Sequence, residues 1–412
     1  MADQAQKCLR ATDSLPHEAP SWQEEVSRRI PGSSKEAETV DPEPSQERVA
    51  SILKKFETRI KTGMLNVLIV GRSGAGKSTL INEIFEGDLA TTGSSEPVTM
   101  ETRKYTKRDV PLTVYDTRGL ELMECNQILN ELLDFVERNQ NQKSPESIHL
   151  AWLCIVEDGR RVEEAEKELA RRLNQFMPVI AVITKARADK GFSSEVQRLL
   201  PEVKNVVRVR AIEEHLDTGH VLPQDGLENL VEVTAEMLPE GEALRAFVRT
   251  QKYIKLKKKE AHKAMWWAVA SAVGAGGIPI PLVSQVLLVP IQVGMLVYIG
   301  KVFGINAASA EFWKDNVTGL AVSLGGVNLV VGGFGSVLKF IPGVGTVTGA
   351  AILSSSSAML TYKIGAWYID FLVRQKKDRS TLSSSLEAIK QGFKEFSDKI
   401  QKRNFKVVKT KI

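Results

Sequence analysis

The sequence predicts an α/β domain, a mostly parallel sheet flanked by helices, followed by an all-α hydrophobic domain of membrane type. Two observations carry this expectation. Between residues 64 and 240, short apolar runs (MLNVLIV, PLTVYD, IHLAWLCIV, PVIAVIT and NVVRVR) alternate with stretches such as QILNELLDFVERN and RVEEAEKELARRLNQF, whose apolar residues fall three and four apart. Buried strands alternating with helices make a sheet covered on both faces. Further on, residues 264–300 hold no charged side chain, and neither do 316–338 and 340–362. Each span exceeds the ~20 residues that a membrane-crossing helix needs.

At 412 residues the chain has room for two folded domains and tails. Residues 1–48 contain PHEAPSW, IPGSSKEAETV and DPEPSQE, polar and broken by proline, and are expected to be disordered. Residues 49–63 read as an amphipathic lead-in helix, 64–240 as the α/β domain, 241–263 as a basic linker helix, 264–372 as the hydrophobic helical domain and 373–412 as a basic helical tail. On that tail Leu386, Ile389, Phe393, Phe396 and Ile400 share a face. The hydrophobic region is studded with glycine and broken at Pro279, Pro281, Pro290 and Pro342. Its GAGGIPIP and KFIPGVGTVTGAA stretches have the composition of turns joining paired helices. A soluble bundle with an apolar core is the competing reading, favoured by the SSSS run.

Charge is distributed unevenly. Residues 1–50 carry six Lys/Arg and ten Asp/Glu, whereas 245–263 carry eight basic and one acidic, and 374–412 carry twelve basic and four acidic. The two basic segments bracket the apolar third, a placement that favours an anionic lipid surface. They lack the interleaved aromatics of a nucleic-acid groove, so no nucleic acid is expected. Cys8, Cys125 and Cys154 form no metal-ligand spacing and no disulfide framework, and the five histidines are scattered. No secretory signal is read near the first methionine, and the expected location is a membrane, with the α/β domain facing the cytoplasm.

The chemistry lies in GRSGAGKST, residues 71–79, between an apolar run and LINEIF. It fits G-x-x-x-x-G-K-[ST] in the strand-to-helix context that this motif requires. Glycines let successive backbone N–H groups wrap a phosphate, and the following helix presents its positive end to the same anion. Gly71, Ser73, Gly74, Ala75, Gly76, Lys77, Ser78 and Thr79 would line the nucleotide. Among them Lys77 would bridge the β- and γ-phosphates and the Ser78 hydroxyl would ligate Mg²⁺. The stretch VYDTRGLE then places Asp116 at a strand end, able to reach the metal through water, with the Gly119 amide able to touch a γ-phosphate.

Together GRSGAGKSTLIN, the PVT at 97–99, YDTRGLE and VITK resemble the Era-like GTPases of the translation-factor class. The resemblance implies a P-loop G domain that binds GTP and GDP with Mg²⁺. It implies that Thr99 is the switch threonine completing the metal shell and taking part in catalysis with Lys77; Thr91 and Thr92 compete for that role. It also implies that Thr184 and Lys185 hold the purine. The later segments IPIPLVSQVLLVPIQVGMLVYIGKVFGI and LKFIPGVGTVTGAAILSSSSAMLTYKIGAWYIDFL resemble a widespread hydrophobic domain of unknown function that often follows such domains.

This chain departs from the pattern at three places. Where [NT]-K-x-D puts a base-reading carboxylate, Arg187 stands instead, and Asp189 follows two positions later. Arginine cannot accept hydrogen bonds. Either Asp189 reads guanine from a remodelled loop or selectivity is reduced. Arg210-Ala211 replaces Ser-Ala in the next base-contacting loop. In DTRG, Arg118 replaces the usual proline and Leu120 the water-orienting glutamine, so slow hydrolysis is expected, raised by a homodimer through the G domains, a membrane or a partner. The competing functions are an ATP-dependent P-loop enzyme and a membrane scaffold that binds nucleotide without turnover.

Overall fold

The computed structural model describes residues 63–86, 94–97, 102–106, 110–117, 126–141, 147–276, 283–305, 345–377 and a few positions between 389 and 395. The expected disordered segment 1–48, nearly all of the lead-in helix 49–63 and the apolar stretch 316–338 lie outside the described residues.

The chain enters through β1 (Leu65–Gly71), all seven residues of which are buried. Leu65, Val67 and Ile69 join the core on one face, while Leu68 and Val70 join the core on the other. That is the period of two that a strand imposes. Then come α1 (Lys77–Ile84), β2 (Ser94–Pro97), β3 (Thr102–Thr106), β4 (Leu112–Thr117), α2 (Asn126–Asn141) and β5 (Leu150–Val156). They are followed by α3 (Glu164–Leu173), β6 (Val179–Thr184), α4 (Phe192–Leu199), β7 (Asn205–Arg208), a short hairpin of β8 (Glu214–His215) and β9 (Val221–Leu222), and α5 (Leu227–Met237). The seven-stranded sheet runs β2-β3-β4-β1-β5-β6-β7. Its pairs from β4 to β7 are parallel, and β3 pairs antiparallel with both β2 and β4. The edge strand SSEP and its neighbour TRKYT carry no apolar run, which is why alternation in the sequence did not reveal them.

Helices cover both faces. Leu80, Ile81 and Ile84 of α1 and Leu227, Leu230 and Val231 of α5 pack on the Val67 side. Leu132 and Val136 of α2, Leu169 and Leu173 of α3 and Val196 of α4 pack on the Leu68 side. Because β1 sits between β4 and β5, the chain winds away in opposite directions from its carboxyl end. A crevice opens there, the place where open α/β sheets bind ligands.

The stretch 241–263, expected as one basic linker helix, is divided. It forms α6 (Glu242–Thr250) and the start of α7 (Ile254–Gly276). The division has a cause in the sheet domain: the Glu86 N–H donates to the Thr250 carbonyl at 2.8 Å, and the Lys252 N–H donates to the Ile84 carbonyl at 2.9 Å. The backbone at the break is thus spent on the end of α1. Ala243, Ala246 and Phe247 of α6 lie in the sheet's own core.

α7, α8 (Val283–Val302) and α9 (Gly345–Lys377) enclose a separate core that includes Met265, Ala268, Leu296, Ile299, Ile364 and Tyr368. Three details bear on what the sequence predicts. Pro290, expected as a break, lies inside α8, which continues through it. The described part of the basic tail begins as helix, since α9 runs to Lys377. And among the described residues no helix is long and apolar enough to cross a membrane, so transmembrane spanning finds no support there. From the first uncharged span, Met265, Ala268, Met295, Leu296 and Ile299 are buried in this helical core.

Lys257, from the middle of the basic run, is fully buried. Its Nζ donates to the carbonyls of Val248, Arg249 and Val302 at 3.0, 2.7 and 3.0 Å and lies 3.3 Å from Glu86 Oε1. Lys376 of α9 approaches the same oxygen at 2.5 Å. Burial pushes Lys257 down to about 8 against the pull of the Glu86 carboxylate.

Glu86→Gln strands the Lys257 charge and is expected to cost on the order of 3 kcal/mol, whereas Lys257→Met, which removes the buried charge itself, should cost less. Urea unfolding gives the order; equal or reversed losses would contradict it. Between about pH 8 and the ~10.4 of a free lysine, the unfolded chain holds a proton at Lys257 that the native state has lost. Wild-type stability relative to Lys257→Met should therefore rise with pH across that window.

Candidate functional site

The loop after β1 is shaped by its glycines. Gly74 and Gly76 take left-handed φ of 72° and 79°, where L side chains are strained. At Gly71, whose φ is 153°, an added Cβ would stand 2.6 Å from the Cys154 carbonyl oxygen of β5. The loop leaves the sheet through a gap with no room for a side chain.

Lys77, the first residue of α1, is 8% exposed, and its Nζ folds over the loop to donate to the carbonyls of Gly71 at 2.9 Å and Arg72 at 3.0 Å. The ammonium is thereby fixed at the mouth of the crevice. Arg72 is braced by Glu163, whose Oε1 accepts from Nη1 at 3.2 Å. Glu163 is in turn the N-cap of α3 in a capping box with Glu166. Ser73, Gly74 and Ser78 are exposed, Ala75 is buried, and Gly76 and Thr79 are half-buried.

Asp116 stands in register with Ile69 across the β1–β4 pair, beside the loop. Its Oδ1 is buried without a hydrogen-bond partner. Burial pushes its carboxyl up to about 6, against the attraction of Lys77 and Arg103. An orphaned carboxylate oxygen next to a fixed ammonium, with the Ser78 hydroxyl exposed at the helix start, is a donor set for a hard cation with oxygen ligands. Among the described residues no group of three or more His, Cys, Asp or Glu forms a metal site. Mg²⁺ commonly keeps waters and phosphate oxygens in its shell, and Asp116 and Ser78 are the residues that would hold it here. Thr99 and Gly119 lie outside the described residues, as do Arg118, Leu120, Thr91 and Thr92.

The opposite side of the crevice is built from the end of β6. Thr184 is buried, and its Oγ1 donates to the Ile155 carbonyl at 3.3 Å. Lys185 is exposed with φ of 54°, a left-handed turn that throws its side chain outward. Asp189 is engaged locally: the Ser193 N–H donates to Oδ1 at 2.8 Å and the Ser193 hydroxyl to Oδ2 at 2.7 Å, holding the first turn of α4. Arg187, at the position of the missing carboxylate, is ion-paired with Glu214.

Under this turn lies Glu157, which the sequence reading did not single out. It is 3% exposed; its Oε2 accepts the backbone N–H groups of Arg187 and Ala188, and its Oε1 accepts Arg208 Nε at 2.8 Å. Burial would raise its carboxyl, but those N–H donors and Arg208 outweigh burial and hold it below the usual range. Its signal in the sequence, an acidic residue just past a buried strand, is too common to be found without the fold.

A glycine loop opening α1, an ammonium pinned across it, an orphaned aspartate on the neighbouring strand and a Thr-Lys turn two strands away define a GTP-binding P-loop GTPase domain. The comparisons agree. Residues 66–185 match the family described as 50S ribosome-binding GTPase. The tRNA modification GTPase MnmE of Syntrophomonas wolfei is 26% identical over 183 residues, 43% of this chain and 36% of that protein. Septin-9 of Homo sapiens is 28% identical over 167 residues, 34% of this chain and 28% of that protein. The ADP-ribosylation-factor-like small COPII coat GTPase SAR1 of Encephalitozoon cuniculi, solved with GDP, covers 49% of this chain and 84% of its own at 15% identity. With a TM-score of 0.28, that likeness carries no argument. The chain spans between 28% and 53% of the length of the curated relatives it matches.

Gly71→Ala forces the loop off Cys154 and is expected to weaken nucleotide binding at least ~10-fold and to lower stability by roughly 1–3 kcal/mol. Nucleotide titration and thermal unfolding check both, and an unchanged variant would show that the gap is slack.

Proposed function

We propose that this chain is a guanine-nucleotide switch of the Era-like class, which binds GTP with Mg²⁺, hydrolyses it slowly and couples its state to a membrane-attached helical unit. The observation that carries the nucleotide part is the pairing of Lys77, fixed over its own loop, with the orphaned Asp116 oxygen beside it. Mg²⁺, when bound, neutralises charge developing on the β- and γ-phosphates. Lys77 adds a preorganised charge at the same place, and the loop N–H groups supply the remaining donors. Leu120 offers no hydrogen bond to an attacking water, so the chain alone turns over slowly, and a homodimer through the G domains, a membrane or a partner raises the rate.

Membrane attachment rests on charge. Lys255, Lys258, Lys259 and Lys263 are exposed on α7, Lys255 paired with Glu232 and Lys263 with Glu260, and an unneutralised lysine is worth about 1 kcal/mol near an anionic bilayer. The reading is a peripheral one, through the segments 245–263 and 374–412, with the G domain in the cytoplasm.

Fluorescent-nucleotide titration of the full chain should show GTP and GDP bound in preference to ATP, with Lys77→Ala losing at least ~100-fold. Single-turnover hydrolysis should fall on the order of 10⁻⁴ to 10⁻² s⁻¹. Preference for ATP would move the chain to the ATP-dependent class, and binding without any turnover would leave a scaffold. Flotation with phosphatidylserine vesicles, reversed by salt, tests the attachment; equal flotation with neutral vesicles would refute the electrostatic basis.

A further inference from the structure

Three carboxylates, Asp189, Glu157 and Glu214, surround the turn after β6, and their partners differ. Both oxygens of Asp189 are engaged by Ser193, and Arg208 Nε lies 3.5 Å from its Oδ1. Glu157 is buried and saturated by two backbone N–H groups and Arg208. Glu214 comes from β8, on the segment that follows Arg210-Ala211. Arg187 Nε donates to its Oε2 at 2.9 Å and Nη2 donates to its Oε1. Arg187 also lies 3.7 Å from Asp158.

We propose that Glu214, carried by Arg187, is the residue that reads guanine, accepting hydrogen bonds from N1–H and the N2 amino group, and that Asp189 is a cap for α4. The inference rests on the GTP reading above. Arg187 occupies the position, two past Lys185, where a base-reading carboxylate is needed and where its own side chain can accept nothing. By pairing with Glu214 it delivers a carboxylate to that position from another strand. One guanidinium fork uses one lone pair on each carboxylate oxygen and leaves the others open. The pair is not sealed off: the Arg187 side chain is 50% exposed and that of Glu214 27%. Ile212, two residues before Glu214, is 55% exposed, and Lys185, two before Arg187, is exposed as well, so each segment leaves apolar side-chain surface open to solvent. The Arg187 guanidinium holds Glu214 below the usual carboxylate range and so ionised at neutral pH. An ionised carboxylate there repels adenine, whose N1 is an acceptor.

The test is nucleotide preference of the full chain, titrated with fluorescent GDP, IDP, XDP and ADP, with folding of each variant confirmed by its thermal melt. Wild type should prefer GDP over IDP, which lacks the N2 amino group, by ~10- to 100-fold, the worth of one hydrogen bond to a charged group. In Glu214→Gln the amide donates to the C2 oxygen of xanthine, so XDP should gain and GDP should lose by a similar factor. Arg187→Ala should lower the GDP-to-IDP ratio without creating a preference for XDP, because the reader is loosened and not replaced. Asp189→Asn should keep the wild-type GDP-to-XDP ratio. A folded Glu214→Gln protein with wild-type preference overturns the proposal, and so does a switch to XDP in Asp189→Asn. A wild type that does not distinguish GDP from ADP would overturn the GTP reading itself, and this inference with it.

Discussion

The eight-residue helix α1 is the element on which the two halves of the molecule both depend. At its N-terminus stand Lys77 and Ser78. Just past its C-terminus, Phe85 is fully buried, stacked on Trp152 at 5.7 Å and edge-on to Phe247 of α6 at 6.1 Å. Glu86 then meets Lys257 of α7 and Lys376 of α9. A helix this short, about 12 Å long, has little stability of its own. It is held because one end is clamped by the phosphate loop and the other by the helical unit. Any shift of α1 must be taken up at both ends, since packed interiors do not yield gradually.

The two sides of the crevice are built by different physics. On the phosphate side the geometry is backbone-made: glycine conformations, carbonyls that tether Lys77, and a strand register that sets Asp116 beside it. Such a site is preorganised before any ligand arrives. On the base side the geometry depends on ion pairs linking Glu157, Arg208, Arg187 and Glu214. Glu157 is the buried member, and it fixes the backbone of the turn by taking two of its N–H groups. A buried charge satisfied in this way favours one conformation of the turn, because leaving it would strip Oε2 of both its donors.

Much of this was legible in the chain. Five parallel-sheet strands announce themselves as apolar runs, because strands buried on both faces must be apolar throughout. The phosphate loop is equally plain, since the contacts that define it join residues within a single turn. β2 and β3 were not visible, being strands of polar composition at one side of the sheet, β3 held by pairing with β4 and the edge strand β2 by pairing with β3. Nor was the division of 241–263, whose break is imposed by hydrogen bonds to Ile84 and Glu86, far back in the sequence. Charge misled at Lys257: a lysine in a basic run is normally solvated, and this one is buried against three carbonyls and a distant glutamate.

By itself, then, the sequence determined the α/β class, the phosphate grip at Gly71–Thr79 and the aspartate at 116, because periodicity and local motif chemistry act over a few residues. It also showed that Arg187 breaks the base-reading pattern. What stands in for the missing carboxylate, and how the helical unit is fastened to the nucleotide domain, were decided by tertiary structure. Arg187 finds Glu214 27 residues away, and Lys376 finds Glu86 290 residues away. Pairings at such separations are chosen by which folded surfaces meet and by the cost of leaving a charge unpaired between them, and neither is written in the spacing of neighbours.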